Sequence, residues 1–299
     1  MYRIVNMKKL FKYRNWIQAA ATLATNAHIP GFLKGSIYTG SGKQFCVPGL
    51  NCYSWPGAVG SCPIGALQAV ATGNRHSFSF YIVGILLLFG VLMGRFICGF
   101  LCPVGWFQQL LHKIPSRKLK VPKTADQKLR MFKYLVLILF VLALPAFVVD
   151  GYGLGVPWFC KWICPAGTLE GGIPLVLANE SLRMNLGFTF WWKMFLLALT
   201  IAASIFIYRP FCKYVCPLGA IYALFNRFSM TRMELNQDNC ISCGKCVRDC
   251  PMQVDVLKNI NSTECIRCGQ CADSCPTGAI DLKFGKITLK HNEIPTQNS

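Results

Sequence analysis

The chain has 299 residues, of which 53% are hydrophobic and only 14% are charged, whereas soluble domains carry about a quarter charged residues. Its 17 cysteines do not fit a small secreted disulfide scaffold, because the chain is long and apolar. The net charge of +19 collects in loops between apolar segments, which is typical of membrane topology and excludes a nucleic-acid groove. We therefore expect an α-helical integral membrane protein with no nucleic-acid partner.

Four apolar segments are predicted to cross the membrane. The first follows a basic N-terminus and lacks a small-residue cleavage site, so it is interpreted as a helix and not as a removed signal peptide. Each of the other three approaches the ~20 residues that span the hydrocarbon core. In chain order the segments are Trp16–Leu33, Phe78–Ile97, Met131–Val149 and Leu186–Tyr208.

Loop charges give the predicted orientation. The segment Lys113–Lys133 holds eight Lys or Arg residues, whereas Asp150–Asn185 holds only Lys161 and Arg183. By the positive-inside rule the first segment is cytoplasmic and the second lies outside. We therefore expect a multi-pass protein of the cytoplasmic (inner) membrane, with the N-terminus and everything after Tyr208 in the cytoplasm.

Three cysteines stand among glycines and prolines in the opening stretch Phe45–Leu67, which reads FCVPGLNCYSWPGAVGSCPIGAL. They are Cys46, Cys52 and Cys62, and their spacing matches neither a simple zinc finger nor a disulfide motif. With four crossings, this stretch lies on the outer side.

The last of these cysteines belongs to a motif of cysteine, proline, any residue and glycine that occurs four times: SCPIGALQ, LCPVGWFQ, ICPAGTLE and VCPLGAIY. In the last three copies a second cysteine lies four residues upstream, which makes CxxxCP pairs. The flanks GRFICGFLCPVG and YRPFCKYVCPLG form an internal repeat, with Arg95 and Arg209 each three positions before a cysteine. Short amphipathic stretches after the motifs, such as Gly105–Lys113, are expected to be interfacial helices.

Each CxxxCP pair offers two ligands, and a [4Fe–4S] cluster takes four. When the four crossings are counted from a cytoplasmic N-terminus, the pairs after the second and fourth crossings lie on the inner side. The pair after the third crossing lies on the outer side, together with the opening stretch. The inner set is Cys98, Cys102, Cys212 and Cys216. The outer set is Cys160, Cys164, Cys52 and Cys62, with Cys46 as a spare or variant ligand. Disulfides for the outer cysteines, unligated packing thiols for the inner ones, and copper or haem binding remain open alternatives.

The C-terminal part carries the most specific motif of the chain. The spacing C-x2-C-x2-C-x3-C-P occurs twice, 25 residues apart, and in bacterial ferredoxins the fourth cysteine of each run ligates the other cluster. A zinc ribbon would use only four of these eight cysteines. The predicted [4Fe–4S] ligand sets are Cys240, Cys243, Cys246 with Cys275, and Cys265, Cys268, Cys271 with Cys250.

These motifs divide the chain into three predicted regions. Residues 1–230 form a transmembrane domain with about four crossings and short interfacial or re-entrant helices. Residues 231–290 form an α+β ferredoxin domain of the bacterial 2[4Fe–4S] type, and 291–299 form a polar tail.

At the CxxxCP and ferredoxin residues the chain resembles the membrane polyferredoxins. These include the membrane subunit of the nitrate-reductase quinol dehydrogenase and the iron–sulfur proteins of nitrous-oxide-reductase maturation and cytochrome-oxidase assembly. The resemblance implies that electrons pass across or out of the membrane, from quinol or a reduced cytosolic carrier, to a partner enzyme. Two features depart from the family: Trp55 replaces a cysteine of related opening stretches, and the Cys160/Cys164 pair is additional.

We therefore expect an electron-transfer protein that connects a cytoplasmic ferredoxin head to clusters in the membrane domain. It would exchange electrons with a quinol pool or a redox partner protein, alone or as a subunit of a larger redox complex. The alternative is a copper relay in which the CxxxCP thiolates bind Cu(I) and the ferredoxin supplies electrons. Whether the chain itself oxidises quinol is left open, and no catalytic residue is assigned. The ionisable candidates also fit plain interfacial roles: His76, His112, Asp150, Glu170 and Glu180.

Overall fold

The computed structural model describes residues 7–31, 35–72, 80–148, 155–285 and 287–289. Outside these ranges lie the predicted polar tail 291–299 and several residues named above: Leu33, His76, Phe78, Val149 and Asp150. Up to residue 225 the described chain consists of helices and loops, with one short 3-10 helix, Ser41–Gln44, in the loop before Pro63; it continues into a small three-stranded sheet with two short helices.

Within the described ranges, two helices are long and apolar enough to cross a membrane. Lys123–Phe147 has 25 residues and a mean hydropathy of 2.0, and Phe188–Phe206 has 19 residues and a mean hydropathy of 1.6. The first contains a π-helical segment, Leu137–Ala143, directly before Pro145. A proline lacks the N–H of a regular α-helical bond, and a wider turn accommodates the defect.

The other two predicted crossings contain shorter helices. Arg14–Thr25 has 12 residues and ends where the Asn26 side-chain amide donates to the Thr22 carbonyl over 2.8 Å. Phe80–Met93 has 14 residues and ends at Gly94, whose φ of +53° leaves the α-helical region. Both are shorter than the segments from which they were predicted, so four crossings stay a prediction.

The remaining helices are short and surround the cysteine motifs. They are Met7–Lys12, Pro63–Thr72, Phe96–Phe100, Pro103–His112, Trp158–Trp162, Gly167–Ala178 (π-helical over Gly167–Gly172), Glu180–Met184, Pro210–Tyr214, Pro217–Phe225, Lys245–Arg248 and Gln270–Asp273. The predicted helix at Gly105–Lys113 corresponds to Pro103–His112.

The C-terminal sheet is antiparallel, with strand order β1-β2-β3. Its strands are β1 (Thr231–Leu235), β2 (Ile280–Phe284) and β3 (Ile287–Leu289). Leu235 lies opposite Ile280 in the pairing of β1 with β2, so the two ends of the ferredoxin domain meet in one sheet. The region is α+β, as the motif spacing predicts.

A buried ion triad joins the ferredoxin domain to the helices. Glu264 accepts from Arg95 Nη1 over 2.8 Å and from Lys133 Nζ over 2.5 Å. Burial by itself would raise the pKa of the Glu264 carboxyl, but the Arg95 and Lys133 charges lower this pKa to about 2. The carboxylate is therefore ionised at neutral pH and holds two buried cations.

A second polar network joins the start of the helix Lys123–Phe147 to the Pro210–Tyr214 helix and to the ferredoxin domain. Asp126 accepts from Lys213 Nζ and from the Tyr214 hydroxyl, each over 2.6 Å, and pairs with Arg130. Arg130 in turn donates to the Met252 carbonyl of the ferredoxin domain over 2.9 Å. These contacts explain why the helix begins eight residues before the predicted Met131.

Replacing Glu264 by Gln is expected to lower the free energy of unfolding by about 3–5 kcal/mol, because Arg95 and Lys133 stay buried without a counter-charge. Thermal unfolding of the purified protein in detergent measures the loss. The matched control is Glu234→Gln, which breaks the exposed pair with Lys283 (side chains 39% and 32% exposed) and is expected to cost at most about 1 kcal/mol. Equal losses in the two variants would contradict the role of the triad.

Candidate metal centres

Two cavities in the ferredoxin domain are each lined by four cysteines. The first has Cys240, Cys243, Cys246 and Cys275 in its wall. The second has Cys250, Cys265, Cys268 and Cys271. The structure thus places the fourth cysteine of each run beside the first three of the other run.

Matching backbone turns shape both cavities. Ser242 and Arg267, each two residues after the first cysteine of a run, have φ of +52° and +53°. Gly244 and Gly269 follow with φ of +69° and +82°, and at Gly269 a β-carbon would lie 2.2 Å from the Phe11 ring. Successive left-handed residues direct backbone N–H groups into one concave space, which suits an anionic group.

Each run also points an N–H at the sulfur of its last cysteine. Val254 N–H donates to Cys250 Sγ and Ala279 N–H donates to Cys275 Sγ, both over 3.4 Å. Such bonds favour the thiolate form, which is the form that ligates iron.

Each CxxxCP pair, together with the short helices on either side of it, is called a hairpin here. The inner set comes from two hairpins that lie against each other. All four of its thiols are buried. Cys102 is the N-cap of Pro103–His112, and Cys216 is the N-cap of Pro217–Phe225 and accepts the Gly219 N–H over 3.4 Å. The positive end of the helix macrodipole therefore faces each of these thiols.

Two arginines bind across the hairpins. Arg95 Nη2 donates to the Cys212 carbonyl over 3.3 Å, and Arg209 Nη1 donates to the Cys98 carbonyl over 2.5 Å. Each arginine precedes one cysteine of its own hairpin by three positions and bonds to the opposite hairpin. Gly105 permits this approach, because a β-carbon there would lie 3.0 Å from Arg209 Nη1.

The outer set lines a cavity of about 580 Å³. Its four thiols are Cys52, Cys62, Cys160 and Cys164. Among the described residues that line this cavity, Cys46 is absent; it is 8% exposed and forms a bridge with Ser61. The structure therefore brings together the set favoured by the sequence and leaves Cys46 beside it.

Two charged side chains lie at the outer set, Lys193 in the cavity wall and Glu170 bonded to the Cys52 backbone. Cys52 N–H donates to Glu170 Oε2 over 2.6 Å. Burial raises the pKa of Glu170 to about 7, against the lowering effect of the Cys52 N–H. Glu170 is thus placed at a centre, whereas its sequence position also fits a plain interfacial residue.

Leu50 connects the inner and outer sets. It lines the outer cavity, and its backbone N–H lies beside Cys102 of the inner set. A β-carbon on Gly49 would lie 3.0 Å from the Cα of Cys102, so the opening stretch rests on the inner hairpin. Along the opening stretch, only Leu50 and Asn51 lie between Gly49, which contacts Cys102 of the inner set, and Cys52 of the outer set.

Gln68 and Gln108 were missed by the sequence interpretation. Each stands six residues after the cysteine of a CPxG motif, and each amide contacts a thiol of the opposite hairpin: Cys160 for Gln68 and Cys212 for Gln108. The sequence signal was the shared offset, since SCPIGALQ and LCPVGWFQ both end in Gln.

The residues fit [4Fe–4S] clusters. Every set offers the four thiols that a cluster takes, with N–H donors toward sulfur. In the described part of the chain, no three Cys, His, Asp or Glu side chains converge on a position for one metal ion; the thiols are spread over the cavity walls.

Comparison with known proteins also indicates that these cysteines belong to [4Fe–4S] binding domains. A family model described as a 4Fe-4S binding domain matches residues 75–122, 134–173 and 189–235, and each match contains one CxxxCP pair. A second model of the same description matches residues 233–254 and 258–281, the two ferredoxin runs. An uncharacterized protein of Methanocaldococcus jannaschii is 32% identical over 204 residues, which are 66% of this chain and 68% of that protein.

The chain belongs to the [4Fe–4S] polyferredoxin family. The resemblance and the cofactor class predicted from the motifs are thereby confirmed, and this polyferredoxin carries [4Fe–4S] clusters.

Two further relatives have descriptive names. An Escherichia coli protein named as an electron transport protein, YccM, is 27% identical over 223 residues, which are 69% of this chain and 57% of that protein. A methylamine utilization ferredoxin-type protein of Paracoccus denitrificans is 33% identical over 174 residues, 57% of this chain and 54% of that protein. The polyferredoxin thus spans little more than half of these two relatives. No solved structure matches the chain.

Gly99 tests the contact between the inner hairpin and the ferredoxin domain. A β-carbon on Gly99 would lie 2.4 Å from the Ile266 carbonyl, so Gly99→Ala must displace the loop that carries Cys265 and Cys268. We expect a loss of about 1–3 kcal/mol in the free energy of unfolding and a lower iron content. The control is Gly84→Ala, where nothing lies within 4 Å. Identical unfolding temperatures and iron contents for the two variants would contradict this packing.

Proposed function

We propose that this polyferredoxin is a membrane electron-transfer protein that connects its ferredoxin domain to two further centres, held by the inner and outer sets. The observation that carries the proposal is the continuity of contacts from the ferredoxin domain to the inner set and from there to the outer set. Ile266, between Cys265 and Cys268, rests on Gly99 of the inner hairpin, and Leu50 lies between Cys102 and the outer cavity. A single surface site would not carry an electron through ~30 Å of hydrocarbon, whereas successive centres divide the distance.

Each set is proposed to ligate one cluster, which when bound supplies reversible one-electron transfer. The chain's own residues hold the thiolates at helix starts, exclude water by burial and direct N–H groups at sulfur. The proposed ligands are Cys240, Cys243, Cys246 and Cys275; Cys265, Cys268, Cys271 and Cys250; Cys98, Cys102, Cys212 and Cys216; and Cys160, Cys164, Cys52 and Cys62.

A membrane location is supported by apolar side chains that point away from the protein on the two long helices. Ile138, Trp191 and Phe195 are 63%, 63% and 58% exposed. Such a surface is costly in water and favourable in a bilayer. With the basic segment Lys113–Lys133, which leads into and begins the first long helix, this supports a multi-pass arrangement in which the ferredoxin domain is cytoplasmic.

The exchange partners are proposed to be a soluble redox protein at one end and the quinol pool or a second redox protein at the other. Cys243 is exposed at the first ferredoxin cavity, which suits a soluble partner. An apolar cavity of about 660 Å³ lies between the two long helices, with Trp158, Trp162 and Trp192 in its wall, and suits an aromatic membrane carrier. The Escherichia coli relative, named as an electron transport protein, agrees with this function.

Iron analysis separates this function from the copper relay. After anaerobic purification we expect about sixteen irons per chain, four for each of four clusters, and EPR signals of [4Fe–4S] clusters on reduction. About eight irons with stoichiometric copper would instead support the relay and overturn the proposed membrane clusters.

The two opening cysteines provide a matched pair of variants for the outer set. Cys52→Ser is expected to remove about four irons, because its side chain lines the outer cavity, whereas Cys46→Ser is expected to keep all of them. Iron per chain and EPR spin counts measure both. Iron loss in Cys46→Ser with none in Cys52→Ser would reverse the assignment.

A further inference from the structure

Gln108 forms a three-point contact inside the inner set. Its amide nitrogen Nε2 donates to Cys212 Sγ over 3.1 Å and to the Val104 carbonyl over 3.2 Å. Its amide oxygen Oε1 accepts the Phe211 N–H over 3.1 Å. The side chain is 1% exposed, so no water competes for these bonds.

Gln68 makes the same contact in the outer set. Its Nε2 lies 3.1 Å from Cys160 Sγ and 3.4 Å from the Ile64 carbonyl, and its Oε1 accepts the Phe159 N–H over 3.0 Å. This side chain is fully buried.

The orientation of both amides is fixed by their backbone partners. A peptide N–H only donates and a carbonyl only accepts, so the amide oxygen must face Phe159 or Phe211. The nitrogen must face the carbonyl one turn back, and the same NH₂ group then reaches sulfur. Two backbone groups therefore fix each amide, so the N–H directed at each thiolate does not depend on an arbitrary choice of amide orientation.

The remaining two CPxG motifs carry a different residue at the same offset. Glu170 accepts the Cys52 N–H over 2.6 Å, and the Tyr222 hydroxyl donates to the Pro48 carbonyl over 2.9 Å. Both bind the opening stretch. A glutamine therefore occurs in those CPxG motifs that face an FCKxxCP hairpin. Gln68 faces FCKWICP, and Gln108 faces FCKYVCP.

We infer that Gln68 and Gln108 are positioning residues, which align the CPxG helix that each belongs to with the FCKxxCP hairpin that it faces and raise the reduction potential of the cluster that each set holds. The inference rests on the proposed function, in which both sets bind clusters. A CPxGxxQ motif facing an FCKxxCP hairpin thus forms a cluster-binding unit that occurs twice in the chain. The fourth thiol comes from Cys52 in the outer unit and from Cys98 in the inner unit.

The direction of the potential shift follows from charge. One-electron reduction makes a cluster and its thiolates more negative, and an N–H directed at sulfur stabilises the more negative state more strongly. Removing the amide N–H therefore lowers the reduction potential of that cluster and leaves the other clusters unchanged.

The test uses Gln68→Met and Gln108→Met in the full-length protein, because methionine has a similar length and no N–H. The matched control is Gln18→Met, which removes a buried amide with no hydrogen-bond partner among the described residues. Iron per chain is measured first, followed by EPR-monitored redox titration of each reduced cluster. Iron in the unsubstituted protein tests the proposed function separately, since about eight irons would contradict that function before any variant is compared.

We expect each glutamine variant to lower the potential of one cluster, a different one in each variant, while Gln18→Met matches the unsubstituted protein. Loss of about four irons in a glutamine variant alone would also support the inference, because the hairpins are then no longer aligned. Fully loaded variants with unchanged potentials, a shift of the same cluster by both variants, or equal iron loss in the control would overturn it.

Discussion

The structure depends on one local interaction, the thiol of a cysteine placed immediately before a proline-initiated helix. Proline at the first helical position gives up no needed hydrogen bond, and the glycine three residues after the cysteine directs its N–H at sulfur. This occurs at Cys164 and Cys216, where the N–H to sulfur distance is 3.4 Å. Each motif thus presents a thiolate at the positive end of a helix, and an anionic cluster needs such an environment because its burial in apolar surroundings is otherwise costly.

Pairing of hairpins converts these single thiols into complete sites. The crossed bonds of Arg95 and Arg209 hold the inner hairpins face to face, and glycines at the contact allow the backbones to approach. The same close approach lets the ferredoxin loop at Ile266 rest on Gly99, and the Glu264 triad fixes that contact. The buried charges therefore have a structural purpose, since Arg95 and Lys133 bond to the Glu264 carboxylate where the helices meet the ferredoxin domain.

The matched family stretches and the structure divide the chain differently. Each of three matched stretches contains one CxxxCP pair, whereas the outer set takes Cys52 and Cys62 from the segment ahead of the first match, which begins at residue 75. That segment also links the inner and outer sets through Leu50. It is joined to the rest of the outer site by long-range contacts, such as the bond from the Cys52 N–H to Glu170, 118 residues away.

The sequence by itself determined the cofactor class and predicted the ferredoxin pairing and the two hairpins of the inner set, because cluster ligation imposes short spacings that can be read along the chain. It also favoured Cys52 and Cys62 from cysteine counting, although it left Cys46 as a variant. Only the tertiary structure decided which of the three cysteines line the outer cavity, where the first two apolar helices end, and that Glu264, Gln68 and Gln108 face buried partners. The reason is physical: Gln108 and Cys212 are 104 residues apart, and Arg95 and Glu264 are 169 apart. Contacts over such separations arise from packing, which no local pattern specifies.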